Sequence, residues 1–260
     1  MRYLLFACLS VAGCHGGDSF ISTGADQQPV TQDRLKQVQH KKGSWPYFLQ
    51  HLPVKQAPIV DYRGKRLSDQ TKNAGVIDLD VGVKDLQQCA DALMRLRAEY
   101  LFSQGKHDDI GFHFTSGHYY SWQEYRNGWR PKVSGNSVRF FQTAACTPTH
   151  ENLRKYLDIV YSYAGTISLA EELKEADRFE VGVVIITPGS PGHCSIIIDE
   201  AVNEKGERFF KLAEGYTPAQ SIYVVSNPFD QKLNPWYKLG EGTLRTASYS
   251  FRKYELKKFK

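Results

Sequence analysis

The stretch VGVVIITPGSPGHCSIIIDE, residues 181–200, decides the reading of the chain. It holds two apolar, β-branched runs, 181–186 and 194–198. Between them lies a turn-rich tip of Thr187, Pro188, Gly189, Ser190, Pro191 and Gly192. Short β-branched runs bounded by Gly and Pro are the pattern of buried strands joined as a hairpin. The tip delivers His193 to the mouth of the second strand. General bases are often held at such strand ends, where a fixed imidazole meets solvent-facing loops. The competing reading is a turn-capping or structural histidine.

Working outward, the clearest helix lies upstream. Asp85 is the expected cap, with Gln88 completing a capping-box pattern. Leu86, Cys89, Ala90, Leu93, Leu96, Tyr100 and Leu101 then recur at helical spacing, and Gly105 ends the run. Cys89 thus falls in the first turn, on the core side. A helix N-terminus and a nearby imidazole both lower a thiol's pKa and make it a better nucleophile. Alternation along the second hairpin strand sends His193 and Cys194 to opposite faces, so the thiol for His193 is sought elsewhere. Glu214, just past an expected strand at 209–213, is the first candidate to orient the imidazole from its far nitrogen, with Gln220 as the other. The opposing reading of Cys89 is a buried small hydrophobe among leucines.

The remaining elements interleave without regular βαβ repetition, which gives an α+β class. A helix is expected at 44–52, strands at 60–64, 74–83, 110–115 and 221–225, and helices at 152–163 and from 168. Residues 116–130 are aromatic and turn-rich, and read as a surface hairpin or insertion. Trp122 with Tyr125 and Trp129 offers a sugar or peptide platform, or an aromatic packing unit. Arg97, two turns along from Cys89, and His113 are further candidates for substrate contacts, as is Gln220. Arg97 equally suits an ion pair.

The N-terminus reads MRYLLFACLSVAGC, residues 1–14: one Arg, a short apolar run, then Val11-Ala12-Gly13-Cys14. That is the layout of a signal peptide ending in a lipobox, with Cys14 lipidated as the new N-terminus. The run is too short to span a bilayer. Three segments follow from this reading: a signal at 1–14, a flexible tether at 15–43, and one α+β domain at 44–260. The expected location is a bacterial cell envelope, with the membrane reached through the Cys14 anchor.

Of 260 residues, 41% are hydrophobic, 23% charged and 13% aromatic, an ordinary globular balance. Net charge is +5, with a basic excess at the C-terminal RKYELKKFK that reads as a solvated face and not a nucleic-acid site. Beyond Cys8 and Cys14 the cysteines are Cys89, Cys146 and Cys194. An envelope setting permits a disulfide, for which Cys146 with Cys194 is the pairing that leaves Cys89 free. A zinc site from Cys89, Cys146 and His193 lacks any C-x-x-C or H-x-x-x-H spacing. No metal and no cofactor are expected.

Four segments carry a resemblance: DLQQCADALMRLRAEYL (85–101), SPGHCSIIIDEA (190–201), LAEGYTPAQ (212–220) and NPWY (234–237). They resemble a family of uncharacterised bacterial lipoproteins known only as a domain of unknown function. More distantly, a cysteine opening a helix, then strand–Pro-Gly-His–strand, then a polar residue after the next strand, is similar to papain-like hydrolases of the NlpC and CHAP type. That similarity implies a papain-like core, in which a cysteine helix packs on a mainly antiparallel sheet. It also implies a thiol peptidase or amidase acting on cell-wall peptide amides, with Cys89, His193 and Glu214 as the catalytic set. The chain departs from that pattern at Gln88-Cys89-Ala90-Asp91 and Gly182-Val183. The alternative is a non-catalytic envelope lipoprotein that binds a glycan, peptide or protein partner.

Overall fold

A computed structural model describes residues 30–260, so the signal segment and Cys14 lie outside the described residues. In chain order the elements are β1 (Lys36–Gln37), α1 (Trp45–Gln50), β2 (Val54–Lys55), β3 (Asn73–Ile77) and α2 (Cys89–Ser103). Then come β4 (Gly111–His113), β5 (Tyr119–Ser121), α3 (Trp122–Arg126), β6 (Trp129–Ser134), β7 (Ser137–Gln142), α4 (His150–Tyr161) and α5 (Thr166–Glu172). The last part holds β8 (Lys174–Glu175), β9 (Val183–Thr187), β10 (His193–Val202), β11 (Arg208–Glu214) and β12 (Tyr223–Val225). Short strands β13 (Leu244–Arg245), β14 (Ser250–Phe251) and β15 (Glu255–Lys258) end the chain.

The expected α+β class holds, built on one nine-stranded sheet in the order β2-β3-β12-β11-β10-β9-β15-β8, with β1 added on β10. Every pairing in it is antiparallel. The 181–200 hairpin forms its centre, with His193 opposite Thr187 and Ile196 opposite Val184. β10 is almost wholly buried because β9 and β11 flank it and α2 lies against β10 and β11. Successive residues Ile196, Ile197 and Ile198 are all buried, which is why the run reads as continuously apolar and not as alternating.

Local chemistry sets the helix starts. Ser44 caps α1 by accepting from the Tyr47 N–H at 3.3 Å, and proline sits in the first turn. In α2 the cap is Gln88 and not the expected Asp85: the Gln88 N–H donates to Asp91 Oδ2 at 3.0 Å. Asp85 instead accepts from the Ala219 N–H at 2.7 Å and from Gln88 Nε2 at 3.3 Å, tying the helix entry to the loop after β11.

Four other expectations need correction. From residue 30 onward the expected tether is part of the fold. β1 pairs with the far end of β10, and Val30 and Leu35 cover a small apolar cluster of Ala201, Phe209, Leu233 and Trp236. The aromatic stretch is not a surface insertion. Trp122 is fully buried and stacks on Tyr125 at 5.4 Å, with Tyr156 of α4 against both. The surface hairpin is the next one, β6–β7, and Trp129 at its start is part-exposed. Residues 60–64 form only isolated bridges, and the strand expected over 74–83 ends at Ile77.

Candidate functional site

The register of the central strands brings the site together. Ile196 of β10 faces Ala213 of β11, so one step further along the ladder Glu214 lies beside Ser195. His193 and Ser195 share a face by alternation. Both reach the same carboxylate: His193 Nε2 lies 3.0 Å from Glu214 Oε2, and Ser195 Oγ donates to that oxygen at 2.6 Å. The other oxygen accepts from Tyr223 Oη at 2.5 Å and from Ser248 Oγ. Tyr223 stands opposite Glu214 in β12, and Ser248 comes from the β13–β14 turn.

Glu214 is therefore an acceptor-only group, 0% exposed, with four donors. Burial alone would raise its pKa. The hydrogen bond and charge of His193, with Ser195 and Ser248, hold it below the ordinary carboxylate value instead. Tyr223 is pushed the other way, by burial and by the Glu214 charge, so it stays a phenol and a donor. Lys72 is buried nearby, its ammonium 4.3 Å over the Tyr216 ring and 5.4 Å over that of Tyr223. Burial pulls that ammonium's pKa down, and the Glu214 charge opposes it.

With Nε2 committed to Glu214, the other ring nitrogen of His193 is the one left for Cys89. Burial on its own would lower the imidazole's pKa. Hydrogen bonds to Cys89 and Glu214 override burial and lift it to about 9. Rings enclose the imidazole: Tyr249 at 4.7 Å, Tyr216 at 5.1 Å and Phe251 at 5.7 Å between centroids.

Cys89 is the first residue of α2 and is half-buried. Its pKa falls to about 5. The largest lowering influence is a hydrogen bond from Cys194, which outweighs burial; His193 and the Ala90 N–H add to it. Between about pH 5 and pH 9 the pair is thus a thiolate beside an imidazolium. Cys194 is fully buried, and burial together with the Cys89 charge drives its own thiol far up, so it remains a donor. The alternation argument that set Cys194 aside missed this: from its side of β10 it supports the same sulfur. Cys89, Cys146 and Cys194 are all free, so the Cys146–Cys194 pairing is not formed.

A cavity of about 310 Å³ opens beside Cys89, walled by the start of α2, the α4–α5 turn and the tip at 189–192. Cys89 lines it and is part-exposed, whereas the buried His193 does not line it. Packing at this junction is tight. A Cβ on Gly215 would lie 2.8 Å from Ala92 Cβ and 2.9 Å from the Gln88 carbonyl oxygen. A Cβ on Gly192 would lie 2.3 Å from Thr166 Oγ1.

Cys89, His193 and Glu214 are thus brought together, and the other candidates are not. Arg97 lies over the Trp45, Tyr100 and Phe259 rings and donates to the Lys260 carbonyl at 2.5 Å. With His113 it lines a separate cavity of about 250 Å³, where the His113 N–H donates to Glu172 at 2.9 Å. Trp122 belongs to the core. Gln220 is buried and bridged through its backbone to Asp61, leaving the orienting position to Glu214. Sequence reasoning missed Ser195, Tyr223, Ser248 and the ring enclosure. Of these only Ser195 carried a signal, as a lone hydroxyl two residues along the strand from His193. Among the described residues no group of three or more His, Cys, Asp or Glu side chains is arranged to hold a metal ion.

Fold and site together define an α+β protein with a buried thiol–imidazole–carboxylate constellation at a helix–sheet junction. The chain belongs to the family described as domain of unknown function 4846, which it matches over residues 27–258. Neither the curated proteins nor the solved structures give a match.

Proposed function

We propose that this protein is a papain-like thiol hydrolase, a peptidase or amidase. The observation that supports it is the low-pKa thiol of Cys89 beside an imidazole whose far nitrogen is held by a buried, ionised Glu214. A thiolate at a helix start, a base in hydrogen-bond range and a third group orienting that base are the parts nucleophilic catalysis requires.

In the reaction the Cys89 thiolate attacks the carbonyl carbon of an amide, and the C–O π pair moves onto oxygen. Backbone N–H groups at the start of α2 are suited to that oxyanion, with the helix dipole behind them. As the tetrahedral species collapses, the C–N bond breaks and the imidazolium of His193 protonates the leaving amine. Neutral His193 then takes a proton from water, whose oxygen attacks the thioester. Breakage of the C–S bond releases the carboxylic acid and restores the thiolate and imidazolium. Glu214 keeps one tautomer and one ring orientation throughout.

The lipobox ending at Cys14 supports an envelope location with a lipid tether, and hence cell-wall peptide amides as substrates. The same setting would serve a binding lipoprotein; of the aromatic platform considered for that reading, Trp122 and Tyr125 are buried and Trp129 is exposed.

A p-nitrophenyl ester tests the chemistry without knowledge of the natural substrate. The full chain should release nitrophenolate in a burst of about one equivalent, with acyl mass on the Cys89 peptide. Cys89→Ala should abolish the burst and His193→Ala should slow it at least ~10²-fold. Acylation spread over several cysteines, or unchanged in His193→Ala, would sink the proposal.

A further inference from the structure

We propose that the outward face of the β6–β7 hairpin seats the domain on an anionic phospholipid bilayer. The inference goes beyond the hydrolase reading and does not depend on it.

The hairpin stands apart from the nine-stranded sheet and has two unlike faces. Alternation puts Pro131, Val133, Val138 and Phe140 on one side, and all four are half-buried. Val138 and Phe140 pack against the core, with the Phe140 ring 5.6 Å from that of Tyr120. The other side carries Arg130, Lys132, Arg139 and Phe141. Arg130 stands opposite Phe141, and Lys132 opposite Arg139. Lys132 and Arg139 are exposed, and Phe141 is 49% exposed.

Charge selects the partner. Between Glu124 and Glu151 the chain has no acidic residue, but it has Arg126, Arg130, Lys132 and Arg139. The flanking carboxylates are engaged: Glu124 accepts from Ser121, and Glu151 pairs with Lys155. Arg130 lies over the Tyr125 ring at 3.7 Å and donates to the Tyr125 and Trp129 carbonyl oxygens, which fixes its charge at the hairpin without neutralising it. Lys132 and Arg139 form no ion pair among the described residues. Like charges directly opposite each other destabilise a two-stranded pairing. Cations that only guard an edge against other strands have no need to face each other. An anionic surface removes the repulsion and makes both charges favourable.

Phe141 decides between a bilayer and a soluble polyanion. A dissolved phosphate chain leaves the ring in water. At a bilayer the ring enters the headgroup boundary while the cations stay with the phosphates. Three charges and one ring bind weakly by themselves, which suits a domain already held near the membrane. Residues 15–29 lie between the proposed anchor at Cys14 and the described chain. Such a segment reaches at most about 50 Å, roughly the diameter of a domain this size. The hairpin then stays within reach of the bilayer that holds the anchor.

The test is vesicle co-sedimentation of the unacylated full-length chain, so that no lipid anchor contributes. The probes are vesicles of phosphatidylcholine alone, vesicles of equal parts phosphatidylcholine and phosphatidylglycerol, and soluble polyphosphate. The apolar run at 1–14 is common to every variant, so differences between variants report the hairpin. Binding to the phosphatidylglycerol vesicles should be at least ~10-fold tighter than to phosphatidylcholine, the order that three basic side chains supply. Lys132→Gln with Arg139→Gln should remove most of that preference. Both positions are exposed and the exchange relieves a repulsion, so the unfolding midpoint should not fall. Phe141→Ser should weaken vesicle binding about fivefold and leave polyphosphate binding unchanged. Equal binding to the two vesicles overturns the proposal. So does a preference that survives the paired exchange, which would assign it to the C-terminal cations. Polyphosphate held as tightly as the vesicles, with Phe141→Ser changing neither, would make this a polyanion site and remove the bilayer.

Discussion

Replacing Glu214 by Gln probes the constellation at its least replaceable point. The carboxylate accepts from His193, Ser195, Tyr223 and Ser248 in a site with no water access. A glutamine keeps the shape but brings an NH₂ that donates, so at least one of those four donors faces another donor. It also removes the charge that, with Cys89, offsets the burial of the imidazolium. Breaking a buried pair from one side costs about 3–5 kcal/mol. Here His193 can escape part of that by losing its proton, so about 3 kcal/mol is expected. The sign depends on pH. A histidine whose pKa is raised to about 9 contributes stability fully below 6.5 and loses it as pH climbs through 9. A carboxylate held below 4.5 contributes above that value and loses it as pH falls. The deficit of Glu214→Gln in urea unfolding should therefore be largest between pH 4.5 and 6.5 and fade by pH 9.

The same variant should move the titration of Cys89. Without a stable imidazolium, the inflection of its alkylation by iodoacetamide should rise from about 5. The rise should be about two to three pH units, toward the free-thiol value of ~8.5. The rate at a single pH is a poor readout. At pH near 6.5 a rise of about 2.5 in pKa cuts the thiolate fraction about tenfold, and a Brønsted slope of ~0.45 raises intrinsic nucleophilicity by about as much. The full profile must be taken, by peptide mass spectrometry at Cys89 and with Cys194 left in place. An inflection that stays near 5 in Glu214→Gln would refute the reasoning, because Glu214 would not be holding the imidazolium.

Two further predictions follow from the same geometry. Cys194→Ala removes the largest single lowering influence on Cys89 and should raise its inflection by about two pH units at a stability cost of roughly 1 kcal/mol, whereas Cys194→Ser, which keeps a donor, should leave the inflection nearer its original value. Gly215→Ala should force the loop after β11 away from the start of α2, costing about 1–3 kcal/mol and slowing Cys89 acylation by about 10²-fold. Gly240→Ala, where the added Cβ meets nothing within 4 Å, is the matched control in both assays.

Local chemistry in the sequence explains what could be read from it. The 181–200 hairpin, the Cys89 helix and the strand ending at Glu214 each announce themselves through periodicity and turn residues. His193, Cys89 and Glu214 stand out because each is a reactive group at the end of such an element. What periodicity cannot give is which strands pair. Tyr223 and Ser248 reach Glu214 only because β12 lies beside β11 and the β13–β14 turn folds over the same face. Neither residue differs in its own neighbourhood from an ordinary core tyrosine or loop serine. Arg97 and His113 line a cavity apart from Cys89: helical spacing places Arg97 near Cys89 along the chain, while its guanidinium lies over the rings of Trp45, Tyr100 and Phe259. For Trp122 the packing reading holds and the platform reading does not: turn-forming neighbours suggest a surface, but Ser121 caps a short helix that carries the ring inward.

The arrangement around Glu214 also bears on whether the site is a structural relic. Burying an ionised carboxylate and an imidazolium is a weak way to stabilise a fold, since apolar groups of the same volume usually do as well or better. A histidine retained only for packing has no need of a charged partner, and a neutral ring would be favoured by burial. Here four donors converge on one carboxylate, and their combined effect is to keep His193 protonated next to a thiol opening a 15-residue helix. That thiol gains a second donor in Cys194 and lines the cavity. All of these features favour a thiolate at neutral pH. Losing one of them alone would destabilise the fold, but replacing the whole charged set by apolar groups need not, so its joint presence is better accounted for by the reactivity of Cys89 than by folding.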